Sequence, residues 1–180
     1  NVTVDFKLED GEEFKQGQTI AEFTASVFDL LAVERVVLNL LGRMSGVATY
    51  TAILCKMVEA KDVMLAATRK TLWGLLDKRA VILGGGGSHR LNLCDSIIIK
   101  DTHLDQFDRN FDLLFEKLVD ADPEVRFVEV EVENLNEALK VTEKFSELVD
   151  GKRLRVVGVV MLDNFSADEA AETVRSIKLK

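Results

Sequence analysis

Arg126-Phe-Val-Glu-Val-Glu-Val132 closes on Glu133-Asn134. A helical pattern follows over 135–149, then a second apolar run, Val156-Val-Gly-Val-Val-Met-Leu162, closing on Asp163-Asn164. Strand, polar end, helix and strand in that order make the unit of a parallel α/β sheet. The same texture extends upstream. Val63-Met-Leu-Ala-Ala67 ends at Thr68-Arg-Lys70, Ala80-Val-Ile-Leu83 ends at four glycines, and Ser96-Ile-Ile-Ile99 ends at Lys100-Asp-Thr-His103. Helical patterns over 72–79, 105–119 and 167–177 interleave with these runs. The expected fold class is therefore α/β, a (β/α) barrel-like parallel sheet over 61–180. Its polar strand ends mark the C-terminal edge, where α/β barrels and open sheets carry their active sites. About five strands fall short of the eight that close a barrel, so the C-terminal strands are expected to be missing and the chain to be a piece of a longer protein.

Ahead of this region, Val2, Val4, Phe6 and Leu8 alternate with polar residues, the period of a half-buried strand, and Thr19 to Thr24 reads as a second. A helix is expected from Phe28 to Leu41, an interruption at Gly46 and another helix from Ala48 to Ala60. Residues 1–60 are thus expected to be part of a small α+β N-terminal domain with connecting helices.

The 180 residues carry a formal net charge of -8, which argues against nucleic acid as a partner. No segment has the apolar length of a membrane span and no signal peptide opens the chain, so a reducing cytoplasm is the default. Cys55 and Cys94 each follow a leucine and are expected to be buried thiols rather than a disulfide or a metal site.

Against that acidic background, cations concentrate in three strand-end segments. Arg69 and Lys70 follow the first run, and Arg with Lys there can grip phosphate or carboxylate. Cations at a helix start oppose the helix dipole, so a bound anion would account for a placement that local stability does not. Gly84–Gly87 leads into Ser88-His89-Arg90 and reads as a ligand-facing turn, with core-like sequence on both sides. Lys100, with Asp101 as its possible structural partner, and His103 follow the most apolar strand. Neither His89 nor His103, the only histidines, has zinc-site spacing. Glu129, Glu131 and Glu133 alternate with valines and share one strand face. If that strand is central, inward carboxylates suggest Mg²⁺ binding or stabilisation of developing positive charge. Glu131 and Asp163 are the residues expected to do this, and Glu129 is expected to be structural.

Six of these segments, in order, resemble the quinolinate phosphoribosyltransferase family. They are Glu34-Arg35 with Leu38-Asn39 and Ser45-Gly-Val-Ala-Thr49, Thr68-Arg-Lys-Thr71, Gly85-Gly-Gly-Ser-His-Arg90, Ile99-Lys-Asp101 with His103, Val128-Glu-Val-Glu-Val132, and Met161-Leu-Asp-Asn164. The resemblance implies phosphoribosyl transfer from phosphoribosyl pyrophosphate to quinolinate with decarboxylation, giving nicotinate mononucleotide, pyrophosphate and CO₂. It implies that Arg69, His89 and Arg90 clamp the quinolinate carboxylates, that Lys70 and Lys100 contact substrate anions, and that Glu131 and Asp163 stabilise oxocarbenium-like charge and organise Mg²⁺. It further implies a homodimer or larger assembly in which Arg35 acts in trans. The alternatives are a nicotinate phosphoribosyltransferase and a homologue that binds anions without catalysis.

Overall fold

The computed structural model describes residues 2–120, 124–151 and 155–178. The chain divides into two compact units, residues 1–91 and 92–180. The expected boundary at 60/61 falls inside the first of these.

In the first unit, β1 (Thr3–Phe6) and β2 (Ala21–Thr24) pair antiparallel, as the alternation predicts. The helix α1 runs without a break from Val27 to Val58, so the expected interruption at Gly46 does not occur. One glycine costs a helix only about 1 kcal/mol, too little to stop one this long. Ser26 caps its start by accepting from the Asp29 amide at 3.1 Å. The helix α2 (Leu75–Leu83) corrects a second expectation. Ala80-Val-Ile-Leu83 is the end of this helix and not a strand. A four-residue apolar run has no period of its own, and here it continues the turn begun at Leu75. Val63 to Ala67 is likewise not a strand; it contributes one isolated parallel bridge, Ala66 to Gly87.

The glycine run is shaped by packing. A Cβ on Gly84 would stand 2.3 Å from the Ala48 carbonyl oxygen of α1 and 2.8 Å from Thr51 Cβ. One on Gly86 would stand 2.7 Å from Val81 and 3.0 Å from the Thr51 methyl. These two glycines are small because their own unit closes on them.

The second unit is the parallel α/β fold. Its strands β3 (Ile97–Ile99), β4 (Phe127–Val132) and β5 (Val157–Leu162) form a parallel sheet in that order, with β4 central. The expected helix over 105–119 is two, α3 (Asp101–Gln106) and α4 (Phe111–Asp120). Asp108 and Arg109 break it by taking positive φ. The helices α5 (Leu135–Asp150) and α6 (Ala167–Lys178) follow β4 and β5. Val128, Val130 and Val132 are fully buried. They join a core with Phe115 of α4 and Val141 and Phe145 of α5, where the two phenyl rings meet edge to face at 5.0 Å. The central position of β4 keeps its valines dry and brings Glu131 to the sheet's C-terminal end.

Among the described residues both cysteines are free thiols, but Cys94 is exposed and Cys55 half-buried. Leu93 is itself exposed, so the apolar neighbour that suggested burial marks a loop. No helix among the described residues is long and apolar enough to cross a membrane.

Candidate active site

In the second unit, the chain leaves β3 at Lys100, and the Lys100 amide donates to His103 Nδ1 at 2.9 Å. His103 thereby closes the start of α3, a structural duty. Glu131 is the penultimate residue of β4 and pairs in register with Met161. Asp163 leaves β5 with its amide donating to the Val132 carbonyl at 3.0 Å, which fixes the two strand ends side by side. The Asn164 side-chain amide donates to Asp163 Oδ2 at 2.6 Å.

Glu131 and Asp163 stand at the ends of neighbouring parallel strands, and their two carboxyl groups interact electrostatically. Burial raises the Glu131 pKa first and the negative charge of Asp163 next, with Lys100 opposing and Asp101 adding to the rise. Three sequence-predicted residues, Lys100, Glu131 and Asp163, thus interact electrostatically at one sheet edge. Glu129 is buried within β4, and Glu133 lies beyond the strand, bound to Arg109 at 2.9 Å.

Among the described residues, no group of three or more His, Cys, Asp or Glu side chains could hold a metal by itself. The Glu131–Asp163 pair nevertheless suits Mg²⁺, which takes one or two carboxylates and completes its shell with water and substrate phosphate.

In the first unit, the Ala66–Gly87 bridge sets the two cation segments side by side. The Ala67 amide donates to the Gly87 carbonyl at 2.9 Å and the Gly87 amide to the Leu65 carbonyl at 2.7 Å. Arg69 and Lys70 continue from one side and His89 and Arg90 from the other, so four predicted residues leave a common anchor. Arg69 and Lys70 are exposed, His89 and Arg90 half-buried. His89 has φ 50°, a left-handed conformation that costs a non-glycine residue on the order of 1 kcal/mol and tends to persist at functional sites. Arg35 lies on α1 and is exposed.

Two supports were not legible in the sequence. Arg43 of α1 grips Asp77 of α2 with both prongs, at 2.8 and 2.7 Å, and its guanidinium lies 4.8 Å from the Trp73 ring centroid. Asp77 also accepts from the Trp73 amide at 3.1 Å, which pins the loop between Lys70 and α2. The Arg43 hydrogen bonds hold the Asp77 carboxyl below its ordinary range, burial opposes, and the Trp73 amide helps. The second support, Lys78, is buried and donates from Nζ to the carbonyls of Ala67 and Ser88. Nothing in the sequence distinguishes Lys78 from its neighbour Arg79.

Residues 47–180 match the quinolinate phosphoribosyl transferase C-terminal domain and residues 1–45 the N-terminal domain of the same enzyme. The chain is 32% identical over 174 residues to a probable nicotinate-nucleotide pyrophosphorylase (carboxylating) of Methanothermobacter thermautotrophicus, covering 94% of this chain and 58% of the relative. It is 36% identical over 162 residues to the nicotinate-nucleotide pyrophosphorylase (carboxylating) of Mycobacterium leprae, covering 89% and 52%. Its fold superposes on the crystal structure of NadC from Streptococcus pyogenes with a TM-score of 0.82 at 32% identity, covering 98% of this chain and 59% of that one. The nicotinate-nucleotide pyrophosphorylase of Francisella tularensis gives 0.83 at 30% identity, covering 100% and 60%. The chain spans about three-fifths or less of the length of these relatives. With both domain patterns matched in order along one chain, this protein belongs to the quinolinate phosphoribosyltransferase family.

Proposed function

We propose that the protein carries out carboxylating phosphoribosyl transfer, in which the quinolinate ring nitrogen displaces pyrophosphate from phosphoribosyl pyrophosphate at the anomeric carbon. The 2-carboxylate leaves as CO₂, its bonding electrons pass to ring carbon 2, and that carbon takes a proton to give nicotinate mononucleotide. The observation that carries this reading is the pairing of cation segments by the Ala66–Gly87 bridge. Both reactants are polyanions, and an acidic chain has gathered Arg69, Lys70, His89 and Arg90 on two tied segments.

Arg69, His89 and Arg90 hold the two quinolinate carboxylates, the guanidinium groups by two-pronged hydrogen bonds. Lys70 and Lys100 contact substrate anions or phosphates. Glu131 and Asp163 offset the positive charge that develops on the ribose as pyrophosphate departs, where fixed carboxylates contribute most. Decarboxylation needs little beyond orientation, because the positive charge of the quaternised ring nitrogen stabilises the electron pair left on the adjacent carbon 2. Glu131 and Asp163 would also hold Mg²⁺, which when bound neutralises pyrophosphate charge.

The protein is proposed to act in the cytoplasm as a homodimer or larger assembly, with Arg35 reaching the site of a neighbouring copy. The exposure of Arg35 beside Leu31, Val36 and Leu38, all exposed apolar residues of α1, supports a face that a second copy covers.

The test supplies the full-length protein with Mg²⁺, phosphoribosyl pyrophosphate and either carboxyl-labelled quinolinate or nicotinate. Mass spectrometry follows the mononucleotide and labelled CO₂. Product with CO₂ from quinolinate alone is expected. Product from nicotinate alone would move the protein to the non-decarboxylating reaction, and none from either would leave an anion-binding homologue.

A further inference from the structure

Lys78 is 2% exposed, among the least accessible side chains of the first unit. Taking an ammonium out of water is costly unless its donors are satisfied. Its Nζ donates to the Ala67 carbonyl at 2.7 Å and closely to the Ser88 carbonyl. Those two acceptors are not arbitrary. Each lies one residue beyond the Ala66–Gly87 bridge, and each directly precedes a cation segment, Thr68-Arg-Lys70 on one side and His89-Arg90 on the other. An apolar side chain would fill the same interior at lower electrostatic cost but could hold neither carbonyl.

We infer that Lys78 is a positioning residue, a side-chain crosslink that fixes the separation of the two cation segments and thereby sets the affinity for a ligand with two carboxylates. This rests on the functional reading above for its ligand, while the crosslink itself stands on geometry alone. Asp77 and Lys78, adjacent at the start of α2, then divide the work. Asp77 anchors the helix to α1 through Arg43, and Lys78 anchors the ligand-side loops to the helix.

The experiment compares the full-length protein with its Lys78→Met and Lys78→Arg variants in two measurements. In the first, amide hydrogen exchange is read at Ala67 and Gly87, whose amides form the bridge, and across α1, α2 and β4. Faster exchange in Lys78→Met confined to the two bridge segments, with partial recovery in Lys78→Arg, is expected. Unchanged exchange there, or an equal rise through α1 and α2, would overturn the inference, the latter by reducing Lys78 to general stability. In the second, KM for quinolinate should rise about ten-fold or more in Lys78→Met, as expected for displaced binding groups. Turnover should stay within about three-fold, since Glu131 and Asp163 are untouched. A fall in turnover with KM unchanged would also overturn the inference. If the unmodified protein neither binds nor consumes quinolinate, the functional reading fails and the exchange measurement decides the crosslink by itself.

Discussion

At the end of the central sheet, burial and then the negative charge of Asp163 raise the Glu131 pKa, and that shift has a consequence for stability. The folded protein keeps Glu131 protonated to higher pH than the unfolded chain does. Its contribution is therefore intact below the ordinary carboxylate pKa and is lost as pH rises through the raised one. At about pH 7, without Mg²⁺, Glu131→Gln should raise the unfolding midpoint, and the difference from the unmodified protein should vanish below about pH 4. Added Mg²⁺ should stabilise the unmodified protein and leave the variant unmoved. A variant less stable at neutral pH would show that the pair is not strained. Asp77 carries the opposite sign. Its carboxyl is held low by Arg43, so its contribution is complete above the ordinary carboxylate range and is lost as pH falls through the depressed value. Asp77→Asn should lower the midpoint at neutral pH and flatten the acid limb of the stability profile. A parallel shift at every pH would refute that cause.

At the scale of elements, two glycines with different surroundings make a matched test. Gly84→Ala drives a Cβ to 2.3 Å from the Ala48 backbone oxygen, which neither helix can relieve cheaply. A loss of about 2 kcal/mol or more is expected in urea denaturation followed by Trp73 fluorescence. Gly46→Ala, within α1 and with nothing inside 4 Å, should gain about 0.5–1 kcal/mol from helix propensity. Equal effects would mean that α1 and α2 do not close on the glycine run. The pair also shows where the sequence was readable. β4, β5, α5 and α6 stand where alternation and helical spacing place them, because each shows one full period bounded by polar residues. Ala80 to Leu83 did not, because four apolar residues fit a strand and a helix end equally. In the candidate site, Lys100, Glu131 and Asp163 stand at strand ends as the apolar runs before them predict. The runs before Arg69-Lys70 and before the glycines leading to His89-Arg90 are instead an irregular segment and a helix end. Lys78 was not legible, since nothing in Asp77-Lys78-Arg79 distinguishes a buried ammonium from a solvated one.

At the scale of the molecule, the two units differ in how they are held. Every member of the buried hydrophobic cluster, from Ile99 to Leu148, belongs to the second unit. In the first, Ala80 is the one buried hydrophobic among the described residues, while Phe28 and Leu72 are each 82% exposed and Leu31 is 70% exposed. Apolar burial is the dominant favourable contribution to folding, so a chain of this span should unfold in two steps, the first unit at lower denaturant. The single tryptophan, Trp73, reports that unit alone, whereas backbone circular dichroism reports both. The Trp73 transition should therefore precede the main dichroism transition. If a second copy covers the α1 face, raising the protein concentration should move the Trp73 midpoint upward and leave the later transition in place, since association stabilises only the surface it buries. Coincident transitions, independent of concentration, would mean that the first unit draws its stability from something other than its own core or a partner's.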